Sequence, residues 1–219
     1  MVCSPTSQST GIEHFTAAWF SLQIMRTTIP LAKVRSLQLR RVLVLLIVGT
    51  LSSACTTTAR QPIAAHAQLD LPRFMGDWYV IANIPTRLER SAHNAVETYR
   101  LDGDGTVATT FTFRDGAADG PQRRYTPRGF VRPNTGNAVW GMRFFWFFPV
   151  RWEYVVAYVD ETYTQTIIAR SARDYVWIMA RTAEIPAAEY AALVERVRQM
   201  GYDTSRLNRV PQQWPETSP

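Results

Sequence analysis

Side chains that commonly do chemistry are sparse in this chain of 219 residues, which holds three His and two Cys. Beyond residue 54 only His66 and His93 remain for acid–base catalysis or haem ligation, and His93 is expected in a loop. The sequence lacks the Gly-x-Ser-x-Gly motif of serine hydrolases. It also lacks clusters of His, Cys, Asp and Glu with metal-ligand spacing. The sequence therefore predicts no enzyme: no catalytic residue, no metal and no cofactor.

Aromatic side chains, by contrast, make up 12% of the chain and concentrate in short apolar segments. Gly76-Asp77-Trp78-Tyr79 opens the run of these segments, and Arg181 closes it. Aromatic and aliphatic walls with few polar groups are typical of sites that hold a small apolar molecule. The pattern favours binding over catalysis.

The net charge of +6 belongs mostly to the N-terminal part of the chain. Five of the 24 basic residues precede an apolar run at 42–51, and from Cys55 onward 19 Arg stand against 17 acidic residues. A protein with so balanced a folded part lacks the basic patch of a nucleic-acid binder, so we expect no nucleic-acid partner.

Ten apolar residues are too few for a transmembrane helix, which needs roughly 20. Charges, an apolar core and small residues in this order predict a secretory signal.

Cys55 refines the interpretation of this signal. Leu51-Ser52-Ser53-Ala54-Cys55 resembles a bacterial lipoprotein box, whose Cys is acylated after cleavage, although Ser52 stands where a larger aliphatic residue is usual. Thr56 follows, not the Asp that retains lipoproteins in the inner membrane. The resemblance implies lipidation of Cys55 and a place on the bacterial outer membrane, facing the periplasm. A free thiol in a signal tail is the alternative.

The chain accordingly divides into five segments. They are an unexplained extension or mis-assigned start over 1–24, a lipoprotein-type signal over 25–54, an acylated Cys with a flexible tether over 55–68, one folded domain over 69–214, and a tail over 215–219.

Within the domain, apolar and β-branched segments recur at the spacing typical of all-β proteins. The eight predicted strands are 78–82, 96–101, 106–114, 123–131, 139–146, 152–159, 164–170 and 175–181. Pro127 predicts a bulged or edge position in the fourth strand. One amphipathic helix follows, from near Pro186 to Gly201, with an apolar stripe of Tyr190, Leu193, Val194 and Val197. A closed barrel and a two-sheet sandwich both satisfy this pattern.

Three motifs in the right order resemble the lipocalin family, in particular its bacterial lipoproteins related to apolipoprotein D. They are Gly76-x-Trp78 at the first strand, Asp160 and Tyr163 near the turn between the sixth and seventh strands, and Arg181 at the end of the eighth. The resemblance covers about 69–214. It implies an eight-stranded antiparallel up-and-down barrel with the helix packed outside, and a cavity for amphipathic lipids such as fatty acids or lysophospholipids. We expect Gly76, Trp78 and Arg181 to be structural, with the Arg181 guanidinium over the Trp78 ring.

Strand alternation then predicts the side chains that line the cavity. Arg143 and Glu153 are expected to face water, so the alternate residues of their strands face inward, and in the eighth strand the inward residues share the parity of Arg181. The expected inward residues are Trp140, Met142, Phe144, Tyr154, Val156, Tyr158, Tyr175, Trp177 and Met179. A filled core would have the same residues, so a barrel without a cavity is the alternative.

Loops at one end would form the mouth of the cavity. We expect Arg87 and Arg90 in the first such loop, and Phe148 and Trp152 in the third. Exposed aromatic side chains beside Arg predict contact with membrane lipid or a partner. Aromatic rings folded over the rim are equally consistent with the sequence.

The function predicted from these features is binding, storage or transport of an amphipathic lipid by a lipid-anchored monomer or homodimer. Two alternatives stay open: an enzyme acting on a lipid, and a structural envelope protein with a filled barrel.

Overall fold

A computed structural model of the chain describes residues 60–145 and 147–215. The predictions for residues 1–54, for Cys55 and for 216–219 lie outside these residues. The described part contains two α-helices, α1 (Leu71–Phe74) and α2 (Ala187–Gln199), and a 3-10 turn at Thr204–Arg206. Its strands are β1 (Gly76–Ile84), β2 (Ala92–Leu101), β3 (Thr106–Asp115), β4 (Gln122–Tyr125), β5 (Arg128–Val131), β6 (Val139–Arg143), β7 (Trp152–Val159), β8 (Gln165–Ala169), β9 (Val176–Ala180) and β10 (Asn208–Arg209).

The strands form one antiparallel sheet that closes on itself. The strands pair in the order β1-β2-β3-β5-β6-β7-β8-β9, with β4 also on β3 and β10 on β1, and β9 returns to pair with β1 through Tyr79 and Ala180. Closure leaves no long unpaired edge, which decides between the barrel and the sandwich. The predicted eight-stranded up-and-down barrel with one C-terminal helix is confirmed.

The fourth strand of the barrel is divided at Pro127, as the sequence predicts. β4 and β5 both pair with β3, β4 opposite its C-terminal half and β5 opposite its N-terminal half. Pro127 lacks an N–H, but its carbonyl oxygen still accepts a bond of 3.0 Å from the Thr109 N–H. β4 and β5 therefore count as one bent strand of the eight.

Two apolar layers result from the alternation of side chains along the strands. The inner layer includes Phe74, Trp78, Tyr99 and Trp140. The outer layer joins the opposite faces of β1, β8 and β9 to the helix α2, through Leu193 and Val197. Pro186 precedes α2, and Gly201 ends it at a φ of +86°, a value that glycine adopts without strain.

The segment predicted as a tether is fixed to the barrel over its described part. Ile63 is buried in the outer layer, and its N–H donates to Ser171 Oγ at 3.1 Å. The His66 N–H donates to the Val156 carbonyl at 2.9 Å. A single buried aliphatic residue is a weak signal among Thr, Ala and Gln, which explains why composition predicted a flexible segment.

Antiparallel connectivity sorts the loops into two ends. The turns after β2, β5 and β7 lie at one end with Arg181, and the loops 85–91, 116–121, 144–151 and 170–175 lie at the other. The first is the closed end and the second the mouth. Among the described residues, no helix is both long enough and apolar enough to cross a bilayer.

Candidate ligand-binding site

The closed end is held by Arg181 and Trp78. The guanidinium carbon of Arg181 lies 3.8 Å from the centre of the Trp78 ring, the contact that the sequence predicted. Its N–H groups donate to the backbone carbonyls of Arg73, Phe74, Asp77 and Tyr163 at 2.8–3.2 Å. Partial burial lowers the pKa of Arg181, although the arginine side chain stays charged at neutral pH.

Gly76 begins β1 in a backbone conformation that residues with a Cβ rarely adopt. Its φ is +92°, and a Cβ built on it would lie 3.4 Å from the Arg181 guanidinium. The Trp78 indole N–H donates to the Phe74 carbonyl at 2.8 Å, which ties the ring to the short helix α1. The ring is fully buried and blocks the barrel at this end.

Asp160 and Tyr163 build the adjacent turn. Partial burial acts to raise the pKa of Asp160, but hydrogen bonds from Thr162, Gln165 and Thr164 outweigh it and lower the pKa. Tyr163 has a φ of +60°, and its hydroxyl accepts from the Asp70 N–H at 2.9 Å. These residues therefore stabilise the closed end and do not reach the cavity.

A cavity of about 300 Å³ occupies the other half of the barrel. Its walls are formed by β2, β3, β4, β6, β7 and β9 and by the loops at the mouth. Five of the nine residues predicted to line it do so: Met142, Phe144, Tyr154, Tyr175 and Trp177. Trp140, Val156 and Met179 also belong to the inner layer, but they are fully buried in the packing and do not line the cavity.

The prediction for Tyr158 is wrong. A β-bulge separates Val156, which pairs with Ile168, from Tyr158, which pairs with Ile167. The extra residue turns Tyr158 outward, where it packs in the outer layer under the Arg196 guanidinium at 4.2 Å. Strict alternation from Glu153 cannot detect such an insertion, because the sequence carries no Gly or Pro at that point.

Three of the four residues predicted at the mouth line the cavity. Arg87, Phe148 and Trp152 line the cavity, whereas Arg90 is exposed in the same loop without lining it. Phe148 is 51% exposed and Phe147 is 68% exposed, so neither ring is folded fully over the rim. The neighbouring exposed apolar residues are Leu88, Phe144, Phe145, Val150 and Trp152.

Six polar, non-aromatic residues of the cavity wall were missed by the sequence reasoning: Thr86, Glu89, Glu97, Thr109, Glu153 and Arg170. Glu97 and Tyr99 lie two residues apart in β2, on the inward parity, and this spacing was the signal that could have identified Glu97. Both residues are buried. No comparable pattern marks Glu89, which lies in a loop.

Glu97 is the centre of a buried hydrogen-bond network. The hydroxyls of Tyr99 and Tyr154 donate to its Oε2, the second at 3.1 Å, and the two hydroxyls also contact each other. Burial, together with the nearby charge of Glu89, raises the pKa of Glu97 to about 7, while the tyrosine hydrogen bonds act in the opposite direction. Burial and the carboxylate also raise the pKa of both tyrosines well above their ordinary value.

Glu89 and Arg170 have other partners, although the Nε of Arg170 is buried without a hydrogen-bond partner among the described residues. The Trp177 indole N–H donates to Glu89 Oε2 at 3.0 Å, and the Thr86 N–H donates to Oε1 at 2.8 Å. Arg170 pairs with Asp174 at 2.8 Å and lies over the Trp152 ring at 5.0 Å. Residues 60–145 and 147–215 contain no group of three or more His, Cys, Asp or Glu arranged to hold a metal ion.

Comparison with known proteins decides the family. The lipocalin-like domain family matches residues 69–212, most of the described chain. The chain belongs to the lipocalin family. Lipocalins bind small hydrophobic ligands, and a barrel closed at one end with an aromatic cavity at the other is the structure that such binding needs.

Known lipocalins resemble this lipocalin along most of their own length. Temperature-induced lipocalin-1 of Arabidopsis thaliana is 32% identical over 169 residues, which cover 71% of this chain and 86% of the relative. The outer membrane lipoprotein Blc of Escherichia coli K12 is 26% identical over 163 residues, with 70% and 86% covered. Insecticyanin of the tobacco hornworm Manduca sexta shares the fold at a TM-score of 0.57 and 17% identity, over 70% of this chain and 86% of its own.

Proposed function

We propose that this lipocalin binds an amphipathic lipid, such as a fatty acid or a lysophospholipid, for storage or transport. The cavity is the observation that carries the proposal, because a filled barrel would leave no space for a ligand. It measures about 300 Å³, opens at the mouth and is walled mainly by aromatic and aliphatic side chains. Burial of an acyl chain contributes about 0.8 kcal/mol for each CH₂, so a long chain supplies the free energy of micromolar binding after ordering costs.

The location follows from the lipoprotein box. Acylation of Cys55 would hold the barrel at the bacterial outer membrane, facing the periplasm, and several Blc relatives are named as outer membrane lipoproteins. The protein would act there as a monomer or homodimer. Labelled palmitate should enter the wild-type protein and not Cys55→Ser, and the Cys55→Ser protein should leave the membrane fraction. Equal membrane retention of both proteins would contradict the anchor.

The binding itself is tested on protein purified from its own host. Native mass spectrometry before delipidation should show a bound lipid, and exposure of the delipidated protein to oleate should restore a complex of one oleate per barrel. Denatured protein, which lacks the cavity, is the control for nonspecific adducts. Failure to bind any long-chain lipid would leave the structural envelope role as the better account.

One observation favours the enzyme as a second candidate function. A buried carboxyl group with a pKa of about 7, beside two tyrosine hydroxyls, can exchange a proton with a bound molecule near neutral pH. A long-chain methyl ketone in D₂O is a simple probe: a catalytic Glu97 would exchange its α-hydrogens, and Glu97→Gln would abolish the exchange. Equal exchange rates with wild type, with Glu97→Gln and without protein would exclude this activity.

A further inference from the structure

The inner end of the cavity contains a buried carboxyl group with no cation beside it. Glu97 is the register partner of Trp78, the residue that blocks the closed end, so it lines the cavity toward its inner end. Glu89 adds a second buried carboxyl group to the wall. Within the described part of the chain, neither group forms an ion pair. A buried carboxylate without a cation is costly, and a positively charged ligand group would remove that cost.

The same region has hydrogen-bond acceptors that remain free. Both tyrosine hydroxyls that bond Glu97 reach Oε2, and the described residues offer no donor to Oε1. Thr109 lines the cavity opposite Tyr99, and its Oγ1 is buried without a hydrogen-bond partner among the described residues. Buried polar atoms in proteins are almost always paired. The unpaired Thr109 hydroxyl and the second oxygen of Glu97 lie on adjacent strands, and both can accept a hydrogen bond from a donor that the ligand supplies.

The aromatic walls suit a cation equally well. Tyr154 and Trp177 stack at 6.3 Å between ring centres, and Trp177 lies 6.3 Å from Tyr175. The faces of such rings attract an ammonium group, most strongly where water is excluded. A cation beside Glu97 would therefore meet a carboxyl group and the π face of Tyr154.

The cationic side chains that line the cavity lie at the other end. Arg87 is exposed in the loop after β1, and Arg170 follows β8 and is paired with Asp174. Glu89, in the same loop as Arg87, and Glu153, at the start of β7, also lie toward the mouth, so Glu97 is the charged group of the wall that lies toward the inner end. An anionic headgroup has partners at the mouth and meets repulsion inside.

We propose that the inner end of the cavity is a subsite for a protonated amine carried by an otherwise apolar ligand. The proposal rests on the proposed function and specifies the chemical class of its ligand. The ammonium would donate to Glu97 Oε1 and Thr109 Oγ1, and the alkyl part would extend along the aromatic wall to the mouth. Since the pKa of Glu97 is about 7, the affinity for the amine should rise as pH rises through neutrality, and the affinity for a carboxylate should fall.

Three ligands of equal chain length test the headgroup: dodecylamine, dodecanol and dodecanoate, each below its micelle concentration. Binding to the delipidated full-length protein is measured by Trp fluorescence at about pH 6 and about pH 8.5. At the higher pH the amine should bind at least about tenfold more tightly than the carboxylate, a modest charge effect. Glu97→Gln should reduce that preference by about tenfold and change dodecanol binding by less than about twofold. The control Glu161→Gln, an exposed carboxylate of the closed end, should behave as wild type.

Each other outcome is decisive. Carboxylate binding as tight as amine binding at the higher pH, dodecanol binding as tight as the amine, or a preference unchanged in Glu97→Gln would overturn the subsite. The pH trend of the wild-type protein tests the same inference if Glu97→Gln fails to fold. Binding of none of the three ligands would contradict the proposed function together with the subsite, and is thereby distinguished from a wrong headgroup.

Discussion

At the scale of single residues, Glu97 connects the cavity to the stability of the barrel. Its carboxyl group titrates near 4.5 in the unfolded chain and near 7 in the folded barrel. Below about pH 4.5 Glu97 is protonated in both the folded and the unfolded chain, so its ionisation does not lower the free energy of unfolding. Between these values the unfolded chain releases its proton first, and the free energy of unfolding falls as pH rises until it levels off above about 7. The total loss is on the order of 3 kcal/mol, at about 1.4 kcal/mol for each pKa unit.

Glu97→Gln should remove this pH dependence. Relative to wild type, the variant should gain up to about 3 kcal/mol in the free energy of unfolding between about pH 4.5 and about pH 7.5, because Gln cannot ionise. Urea titrations at three pH values across this range measure the difference. Glu161→Gln should follow the wild-type curve throughout. A difference between Glu97→Gln and wild type that stays constant with pH would show that Glu97 is not the group responsible.

Arg181 illustrates the opposite case, a conspicuous residue without a role in binding. Arg181→Met would leave four backbone carbonyls without their charged donor and should lower the free energy of unfolding by about 2–4 kcal/mol. Arg100→Met, which removes an exposed arginine paired with Asp102, should cost less than about 1 kcal/mol. Guanidinium titrations compare the two. The affinity of folded Arg181→Met for oleate should stay within about twofold of wild type, because the residue lies at the end opposite the mouth. A large loss of affinity would contradict a purely structural role.

At the scale of elements, the sequence predicts the strands better than the faces they present. Each of the eight strands could be located because Gly, Pro and Asn turns interrupt apolar segments, and Pro127 even marks the break between β4 and β5. The bulge in β7 could not be predicted, because it depends on pairing with β8 and leaves no mark in the local sequence. The orientation of Tyr158 was therefore lost. Glu97 was missed for a related reason: an acidic residue in a strand is ordinarily taken to face water.

The N-terminal segment 60–68 shows how a single buried residue changes the character of an element. Ile63→Ala should lower the free energy of unfolding by about 2 kcal/mol, at the lower end of the range for buried aliphatic truncations because the site lies near the surface. The adjacent Ala64 is exposed, and Ala64→Ser should change stability by less than about 0.5 kcal/mol. Urea titrations of both variants measure the effect. Equal stability of Ile63→Ala and wild type would support the interpretation of this segment as a tether.

The loop between β6 and β7 carries an exposed aromatic surface that suits membrane contact at the mouth. Replacing Phe148 and Trp152 by Ser in an unacylated Cys55→Ser background should weaken association with phosphatidylglycerol vesicles by about tenfold or more. The reason is that two exposed rings would no longer be buried in the bilayer on binding. Leu101→Ser, which removes an exposed apolar residue near the closed end, is the matched control. Co-sedimentation measures both. Unchanged vesicle association and lipid uptake in the Ser variant would show that these rings serve only the rim.

At the scale of the whole molecule, binding and stability are linked through the cavity, because only the folded barrel has it. Oleate at about 100 times its Kd should add about 2.7 kcal/mol to the free energy of unfolding, which raises Tm by roughly 5–10 °C for a domain of this size. Thr109→Phe places a ring in the cavity and should abolish the shift. Thr110→Phe is the matched control, since it makes the same change on the same strand with the side chain on the opposite face.

Calorimetric scans of the three proteins with and without oleate separate the two roles that remain for the barrel. A shift in wild type and Thr110→Phe, and none in Thr109→Phe, requires that the ligand occupy the cavity. A shift that persists in Thr109→Phe would place oleate on the outer surface. The absence of a shift in wild type at saturating oleate would mean that the cavity does not accept this chain, and the barrel would then stabilise the envelope without carrying lipid.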